Sequence, residues 1–489
     1  MKISIKNFKS IQNLEEFELK PLTILSGNNS SGKSSFIQLL LILKQTLEIG
    51  SSKKQLFIHG DYYKAKSQTD LITGKKDSKT LTIDFLISKE EFKKFGDNVI
   101  KSLYDSFSDY TCKLNLVFGF MANELKIKRF YLEYTTAIKP EFLLFEVGPQ
   151  NNFKIESNND SYFLSTESSQ EDGPDFLKEI QTVNYSSFFP ISYEESIQAI
   201  SKDPKGRIIH SNSESITRLN INSIKSFLEI IFNELYYIGP LRIEPQDTYA
   251  GDSEKSWVGV KGEFTAQLLE TMRDEMVECN VPKFEGDLIK FRKKQMTLLD
   301  ASNIWICNIF KFGKRLYAKE IGDAYSVYLV NDLGIETTLK HVGFGISQIL
   351  PIVVQGLLMK KGDTLILEQP EIHLHPKIQS ALFDFLYSLT LQGKNFIVET
   401  HSDHFITRLR RRVAEDESSQ LLNQINLTFI EKQKKGLTFK KVKLDDLGVY
   451  EIYPEDFIEN PEKELMALLD AQMKKRKSKR NQSEVRSNN

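Results

Sequence analysis

An α/β fold centred on a parallel sheet is predicted by three features of this chain. The apolar run Leu22-Thr23-Ile24-Leu25 feeds the segment Gly27-Asn28-Asn29-Ser30-Ser31-Gly32-Lys33-Ser34, and the apolar stretch Phe36–Leu43 follows it. That order is strand, tight turn, buried helix. Far downstream, Thr364-Leu365-Ile366-Leu367 ends in Glu368, and Asn395-Phe396-Ile397-Val398 ends in Glu399. Such short apolar runs read as central parallel strands, with carboxylates at the edge where open α/β sheets bind ligands. Between the two regions lies a series of alternating segments, which predicts an antiparallel β subdomain.

The elements follow in order. Lys2–Phe8 reads as a strand with Ile3 and Ile5 on one side and Lys2, Ser4 and Lys6 on the other. The glycine-rich turn fits the pattern G-x-x-x-x-G-K-[S/T] at every fixed position. Its glycines let backbone N–H groups and a helix N-terminus point at phosphate oxygens. Gly27, Asn28, Asn29, Ser30, Ser31, Gly32, Lys33, Ser34 and Ser35 are therefore the candidate ATP-binding residues. Lys33 is expected at the terminal phosphates and the Ser34 hydroxyl on Mg²⁺.

Leu81–Ile87, Lys113–Phe120, Leu125–Tyr134, Phe142–Val147 and Tyr162–Leu164 alternate between short polar loops and predict an antiparallel meander. Residues 150–214 are rich in Ser, Asn, Asp and Glu, which reads as a loop-rich insertion. Helical patterns resume at Ser215–Tyr236 and between Gly262 and Phe310, without heptads held long enough for a coiled coil. Residues 166–330 are thus expected to form an inserted, largely helical region between the two parts of the α/β fold, 1–165 and 331–460. Two alternating strands follow Ile430, then a helix from Pro461 and the basic tail Lys474–Arg480, which together make up 461–489.

Composition narrows the class. The 489 residues are 40% hydrophobic and 27% charged, ordinary for a soluble protein with a sizeable core. A net charge of −1 argues against a protein that coats polyanions, so any DNA contact needs a local patch. Cys112, Cys279 and Cys307 are odd in number and far apart, which suits free thiols in a reducing compartment. No secretory leader pattern opens the chain and no apolar stretch is long enough for a bilayer, so a cytoplasmic protein without a membrane partner is expected.

A second set of motifs supports a resemblance. About 330 residues separate the glycine-rich turn from Glu368, a spacing that resembles ATP-binding-cassette heads of the SMC, RecF and OLD kind. Asn7-Phe8-Lys9-Ser10 looks like the start of such heads, and Val342-Gly343-Phe344-Gly345-Ile346-Ser347-Gln348 stands where a cassette signature belongs. Leu367-Glu368-Gln369-Pro370-Glu371-Ile372-His373-Leu374-His375-Pro376 resembles a Walker B segment running into a D-loop, and Glu399-Thr400-His401-Ser402-Asp403-His404 resembles a switch-histidine segment. With Tyr237-Ile238-Gly239-Pro240-Leu241-Arg242 and Tyr453-Pro454-Glu455-Asp456-Phe457, the set is similar to prokaryotic AAA/ABC-like ATPases of antiphage defence operons, including the ATPase subunits of Septu and PARIS systems. The match spans about 1–60 and 235–460.

The resemblance implies roles. Glu368 would hold the water shell of Mg²⁺ opposite Ser34, and His401 would meet the γ-phosphate. Gly343, Gly345 and Ser347 would contact the ATP of a partner chain. Cassette ATPases carry a catalytic Glu where this chain has Gln369, whose amide orients water but has no basic site near neutral pH. Hydrolysis is expected to be slow, with Glu371 the alternative carboxylate. Four of the seven histidines lie between His373 and His404, but the loop setting fits a D-loop better than zinc.

The expected protein is an ATPase head that forms a homodimer or higher homo-oligomer and gates a separate effector, for which the resemblance implies a nuclease. The chain after His401 is too short for a TOPRIM nuclease domain. A RecF-like repair ATPase acting directly on DNA is the alternative. Arg408, Arg410, Arg411 and Arg412 on one helix, or the basic tail, would then grip DNA, although a solvated helix face explains the arginines equally well. A transporter subunit fits less well, because the carboxylate strand reads Glu-Gln-Pro-Glu and the chain carries a large insertion.

Overall fold

The structure is a computed structural model. It describes residues 1–27, 32–51, 54–75, 78–88, 91, 111–135, 140–148, 152–158, 163–165, 176–202, 208–219, 221–286, 288–433, 436–452, 469 and 472–473. Asn28 to Ser31, the Tyr453–Phe457 motif and the basic tail lie outside the described residues, as does nearly all of the helix expected from Pro461.

The chain starts with β1 (Lys2–Phe8), β2 (Ile11–Glu18) and β3 (Leu22–Ser26), then α1 (Lys33–Ile49). Next come β4 (Leu81–Ser88), β5 (Thr111–Met121), β6 (Glu124–Thr135), β7 (Pro140–Val147) and β8 (Phe153–Ser157). Leaving out β3, these strands form one antiparallel sheet in the order β2-β1-β4-β5-β6-β7-β8. In β4 the pattern is strict: Leu81, Ile83, Phe85 and Ile87 are buried and their neighbours are not, as a half-solvated antiparallel strand requires.

The predicted meander is therefore present from Leu81 to Val147. Its last expected segment, Tyr162–Leu164, is not part of it, since Phe163–Ser165 pairs in another sheet, and the inserted region departs from its expected character as well. β9 (Phe163–Ser165), β10 (Phe176–Ser186), β11 (Phe189–Lys202) and β12 (Ile208–Leu219) form a second antiparallel sheet where a loop-rich segment was expected. After α2 (Asn222–Asn233) come β13 (Leu235–Ile238), β14 (Tyr249–Ala250), α3 (Thr265–Thr271) and the hairpin of β15 (Met276–Glu285) and β16 (Leu288–Thr297). Then α4 (Leu298–Asn303), β17 (Arg315–Ile321), β18 (Ala324–Val330) and β19 (Glu336–Thr338) complete it. The region is richer in strand than in helix. The hairpin of β15 and β16 is largely exposed beyond Pro282 and lacks the clean alternation that marks a strand.

The site is built on the third sheet. After α5 (Gly345–Leu358) come β20 (Thr364–Glu368), α6 (Pro376–Thr390), β21 (Asn395–Glu399), α7 (Asp403–Glu415), β22 (Ile425–Gln433), β23 (Gly436–Leu444) and β24 (Tyr450–Ile452). The order β13-β20-β21-β3-β22-β23-β24 runs parallel from β13 to β22 and antiparallel beyond. Alternate residues feed two cores: Leu22 and Ile24, Leu365 and Leu367, and Phe396 and Val398 pack to one side. Leu25, Ile366 and Ile397 pack to the other, beneath α1 and the first antiparallel sheet. Both faces are covered, which is why these strands read as unbroken apolar runs. Among the described residues no helix is long and apolar enough to cross a membrane.

The arginine-rich helix is committed to the interior. Asp384 of α6, 2% exposed, accepts hydrogen bonds from Arg408 Nη1 at 2.5 Å and from Arg412 Nε and Nη2 at 2.7 and 3.1 Å. Arg410 donates to Gly448 O at 2.8 Å and lies over the Tyr450 ring, while Arg411 pairs with Glu415. Arg408, Arg410 and Arg412 thus tie α7 to α6 and to the β23–β24 turn, while Arg411 is exposed and paired within α7. Asp384→Ala strips the buried Arg412 of its main counter-charge and is expected to cost about 3–5 kcal/mol of stability, read as a lower midpoint in chemical denaturation.

Candidate functional site: a carboxylate-lined phosphate loop

Backbone geometry sets the loop. Gly27 adopts φ +150° and Gly32, before the first turn of α1, φ +83°. A Cβ on Gly27 would lie 2.1 Å from Ile430 O of β22, so only glycine permits this approach. Lys33 is 3% exposed, and its ammonium donates to Gly27 O at 3.0 Å. Burial lowers its pKa, while Glu399 and Glu371 oppose that shift. Ser35 Oγ shares a 2.9 Å hydrogen bond with Ser10 Oγ, which ties the loop to the Asn7–Ser10 motif.

Three buried carboxylates face this lysine's surroundings. Glu368 and Glu399 end neighbouring parallel strands in register. Tyr237 of β13 donates to Glu368 Oε1 at 3.1 Å. Burial, then the neighbouring Glu399, pushes the Glu368 carboxyl up to about 7. Glu399 is 4% exposed and also raised by burial, with Lys33 and the Ser34 hydroxyl opposing. Glu371 is raised by burial too; its Oε1 accepts from the His401 N–H at 2.6 Å, whereas Oε2 is buried with no hydrogen-bond partner.

The sequence reading set Ser34 opposite Glu368, but the structure sets it against a different acid. Ser34 Oγ donates to Glu399 Oε2 at 3.0 Å, because β21 lies between β20 and the loop strand β3. Glu399 was visible in sequence only as a strand-final carboxylate. Tyr237 and Arg242, quoted earlier only as a motif, turn out to brace this edge of the sheet. Arg242, 5% exposed, donates to Glu368 O and Gln369 O, both at 3.2 Å.

That clamp holds an unusual turn. Gln369 has φ +44°, uncommon for a side-chain-bearing residue, and its N–H donates to Glu399 O at 2.8 Å. His401 is half-buried, its pKa lowered by burial and then by Lys33. Lys33, Ser34, Glu371, Glu399 and His401 therefore come together, with Glu368 and Gln369 one strand further out. The signature-like loop lies against the His373 segment: Ser347 donates to Phe344 O at 2.7 Å, and a Cβ on Gly345 would stand 3.6 Å from His373 O. Gly343 and Phe344 are exposed there.

The donor set suits a phosphate–metal pair. Two acids next to one ammonium leave negative charge for a second cation, and Glu371 Oε2 is a spare ligand atom. Among the described residues no three His, Cys, Asp or Glu side chains converge as a metal cage. Mg²⁺ needs none, since it takes one or two carboxylates and completes its shell with phosphates and water.

Comparison with known proteins gives a family match. A family model described as an AAA ATPase domain matches residues 1–406. Among solved structures, the SMC head domain from Thermotoga maritima is 11% identical with a TM-score of 0.36, covering 91% of this chain and 98% of that one. An SmcHead bound to the C-winged helix domain of ScpA is 12% identical, with a TM-score of 0.36 and coverage of 91% and 97%. The Smc head domain with an extended coiled coil, bound to the C-terminal domain of ScpA derived from Pyrococcus furiosus, is 10% identical, with a TM-score of 0.34 and coverage of 90% and 96%. No curated protein matches the chain.

Proposed function

The chain belongs to the AAA ATPase domain family, and from that premise we propose a slow ATPase that acts as the ATP-gated scaffold or sensor of a prokaryotic antiphage defence complex. Its effector is a separate protein, a nuclease by the motif resemblance. The observation that carries slow turnover is Gln369, an amide at the sequence position where cassette heads carry a catalytic carboxylate, on a turn whose backbone carbonyl accepts from Arg242. The RecF-like alternative is weakened because the arginines of α7 are spent on Asp384, Glu415 and Gly448.

The residues divide the work. Lys33, released from Gly27 O, meets the terminal phosphates, and His401 stands where the γ-phosphate arrives. Bound Mg²⁺ supplies charge neutralisation at the phosphates. Gln369 orients a water through its amide. Glu371 keeps one oxygen on the His401 N–H and has the other to accept a proton. ATP is bound firmly and cleaved slowly, which suits a device that reports a state.

Gln369→Glu should raise steady-state turnover by about tenfold or more, because it restores a base. Equal or lower turnover in that variant, with activity lost in Glu371→Gln, transfers the role to Glu371. For the defence assignment, co-expression with the neighbouring genes should recover a small nuclease bound to this chain in an ATP-dependent manner. No nuclease among those genes, or none that binds, removes that part of the reading.

A further inference from the structure

We propose that Arg242 is a positioning residue for ATP hydrolysis: its guanidinium fork fixes the turn that carries Gln369 and Glu371, so it governs the rate of cleavage and not the affinity for nucleotide. This rests on the ATPase reading above and adds to it a residue that acts through others.

The backbone around Arg242 is built to deliver it. β13 and β20 pair in parallel register up to Ile238 and Leu367, so the two strands end level. The loop after β13 is pinned at both ends, Gly239 N–H to Val260 O and Ile243 N–H to Lys261 O, each at 2.9 Å. From that loop Arg242 reaches across to β20, where Nη2 donates to Glu368 O and Nη1 to Gln369 O. Gln369 O also accepts from the Ile372 N–H at 3.3 Å, which closes the turn Gln369-Pro370-Glu371-Ile372. One guanidinium therefore holds both the end of the strand and the carbonyl on which the turn closes. A planar fork keeps two acceptors at a fixed spacing, which the flexible ammonium of a lysine does not.

Two observations give this contact a purpose beyond stability. Gln369 sits at φ +44°, a conformation that a residue with a side chain keeps only where its surroundings over-determine it, and such outliers gather at functional sites. Arg242 is also an unusual buried cation. Among the described residues its hydrogen bonds go to three backbone carbonyls, those of Pro240, Glu368 and Gln369, and its Nε is buried with no partner. A guanidinium buried without a bonded carboxylate is costly, and a purely structural brace would need only a neutral donor. Burial pulls its pKa down, and Glu371, Tyr237 and Glu368 oppose that shift, so the cation stands in the field of the acids that flank Gln369 in the chain.

The competing explanation is that Arg242 only braces the sheet edge, in which case its loss lowers stability and nucleotide affinity together. The probes are a fluorescent ATP for affinity, ATP turnover at saturating nucleotide, and thermal melting of the same samples. Arg242→Ala is expected to lower kcat about 10- to 100-fold, the scale on which a displacement of about 1 Å slows a reaction. Its affinity for nucleotide should stay within about threefold of wild type. Arg242→Lys, which keeps the charge and part of the donor capacity, should fall between the two, and it carries the same test if the alanine variant does not fold. The gain of about tenfold expected of Gln369→Glu should vanish in the Arg242→Ala background, because the new carboxylate then sits on an unfixed turn. A brace that acts independently of the turn leaves that gain intact. Turnover of both Arg242 variants within about threefold of wild type, a loss of kcat matched by an equal loss of affinity, or a gain kept in full in the double variant overturns the proposal. A wild-type chain that binds no nucleotide, or binds it and never cleaves it, overturns the ATPase reading itself, a result distinct from any of these.

Discussion

Lys33→Ala is expected to weaken ATP binding about 30- to 100-fold, the equivalent of two or three kcal/mol of charge-assisted contact. The side chain is 3% exposed and stands between Gly27 O and the acids Glu371 and Glu399. In the variant, arriving phosphates meet two buried carboxylates with no fixed cation between them, so the loss goes beyond one missing hydrogen bond. The fold should stand, because alanine is a good residue for the start of α1 and the apolar core below is untouched. A fluorescent-nucleotide titration with a thermal melt on the same sample measures both. Affinity within about threefold of wild type ends the phosphate-loop assignment.

Mixing Lys33→Ala chains with Ser347→Arg chains should restore ATP turnover that neither has alone. A head-to-tail dimer completes each site with the loop of one protomer and the signature of its partner, giving two composite sites about a two-fold axis. Within one chain, Ser347 is bonded to Phe344 O in its own loop, while Lys33 is gathered with Glu371 and Glu399. Phe344 is 47% exposed beside that signature-like loop, and Leu241, on the loop after β13, is 77% exposed. These apolar side chains are the kind that a second copy would cover. In an equal mixture half the dimers are mixed and each keeps one intact site, so about a quarter of wild-type turnover is expected. No recovery, with both variants folded, rules out the composite site.

Much of this was legible in sequence where periodicity and burial coincide. Lys2–Phe8 and Thr364–Glu368 are legible to the residue, because one alternates as far as Lys6 and the other is buried on both faces. Ile11–Glu18 gives no such signal. It buries Ile11, Leu14 and Phe17 at intervals of three, with Glu16 at φ +43° and a register shift opposite, so an irregular strand carries a helix-like pattern. The hairpin Met276–Thr297 was read as helix for a similar reason: much of it is exposed and lacks strict alternation. At the site, local pattern identified Lys33, Glu368 and His401 as candidates. Which acid meets Ser34 depends on the strand between β20 and β3, and spatial order of that kind leaves no trace in a local motif.

That strand order also sets a timetable. β3 is flanked by β21 and β22, which are synthesised roughly 370 residues and more after it. At ribosomal rates of about 5–20 residues per second, Leu22–Ser26 waits tens of seconds for its first parallel neighbour. The β4–β8 meander closes through short-range contacts and has its strands long before then. During that interval an apolar strand and Phe36–Leu43 of α1 must be shielded by the early sheet or by a chaperone. A nascent chain stalled before β21 would carry the whole glycine-rich sequence with neither Glu399 nor β22 to shape it, so nucleotide competence arrives only after Gln433 has been made.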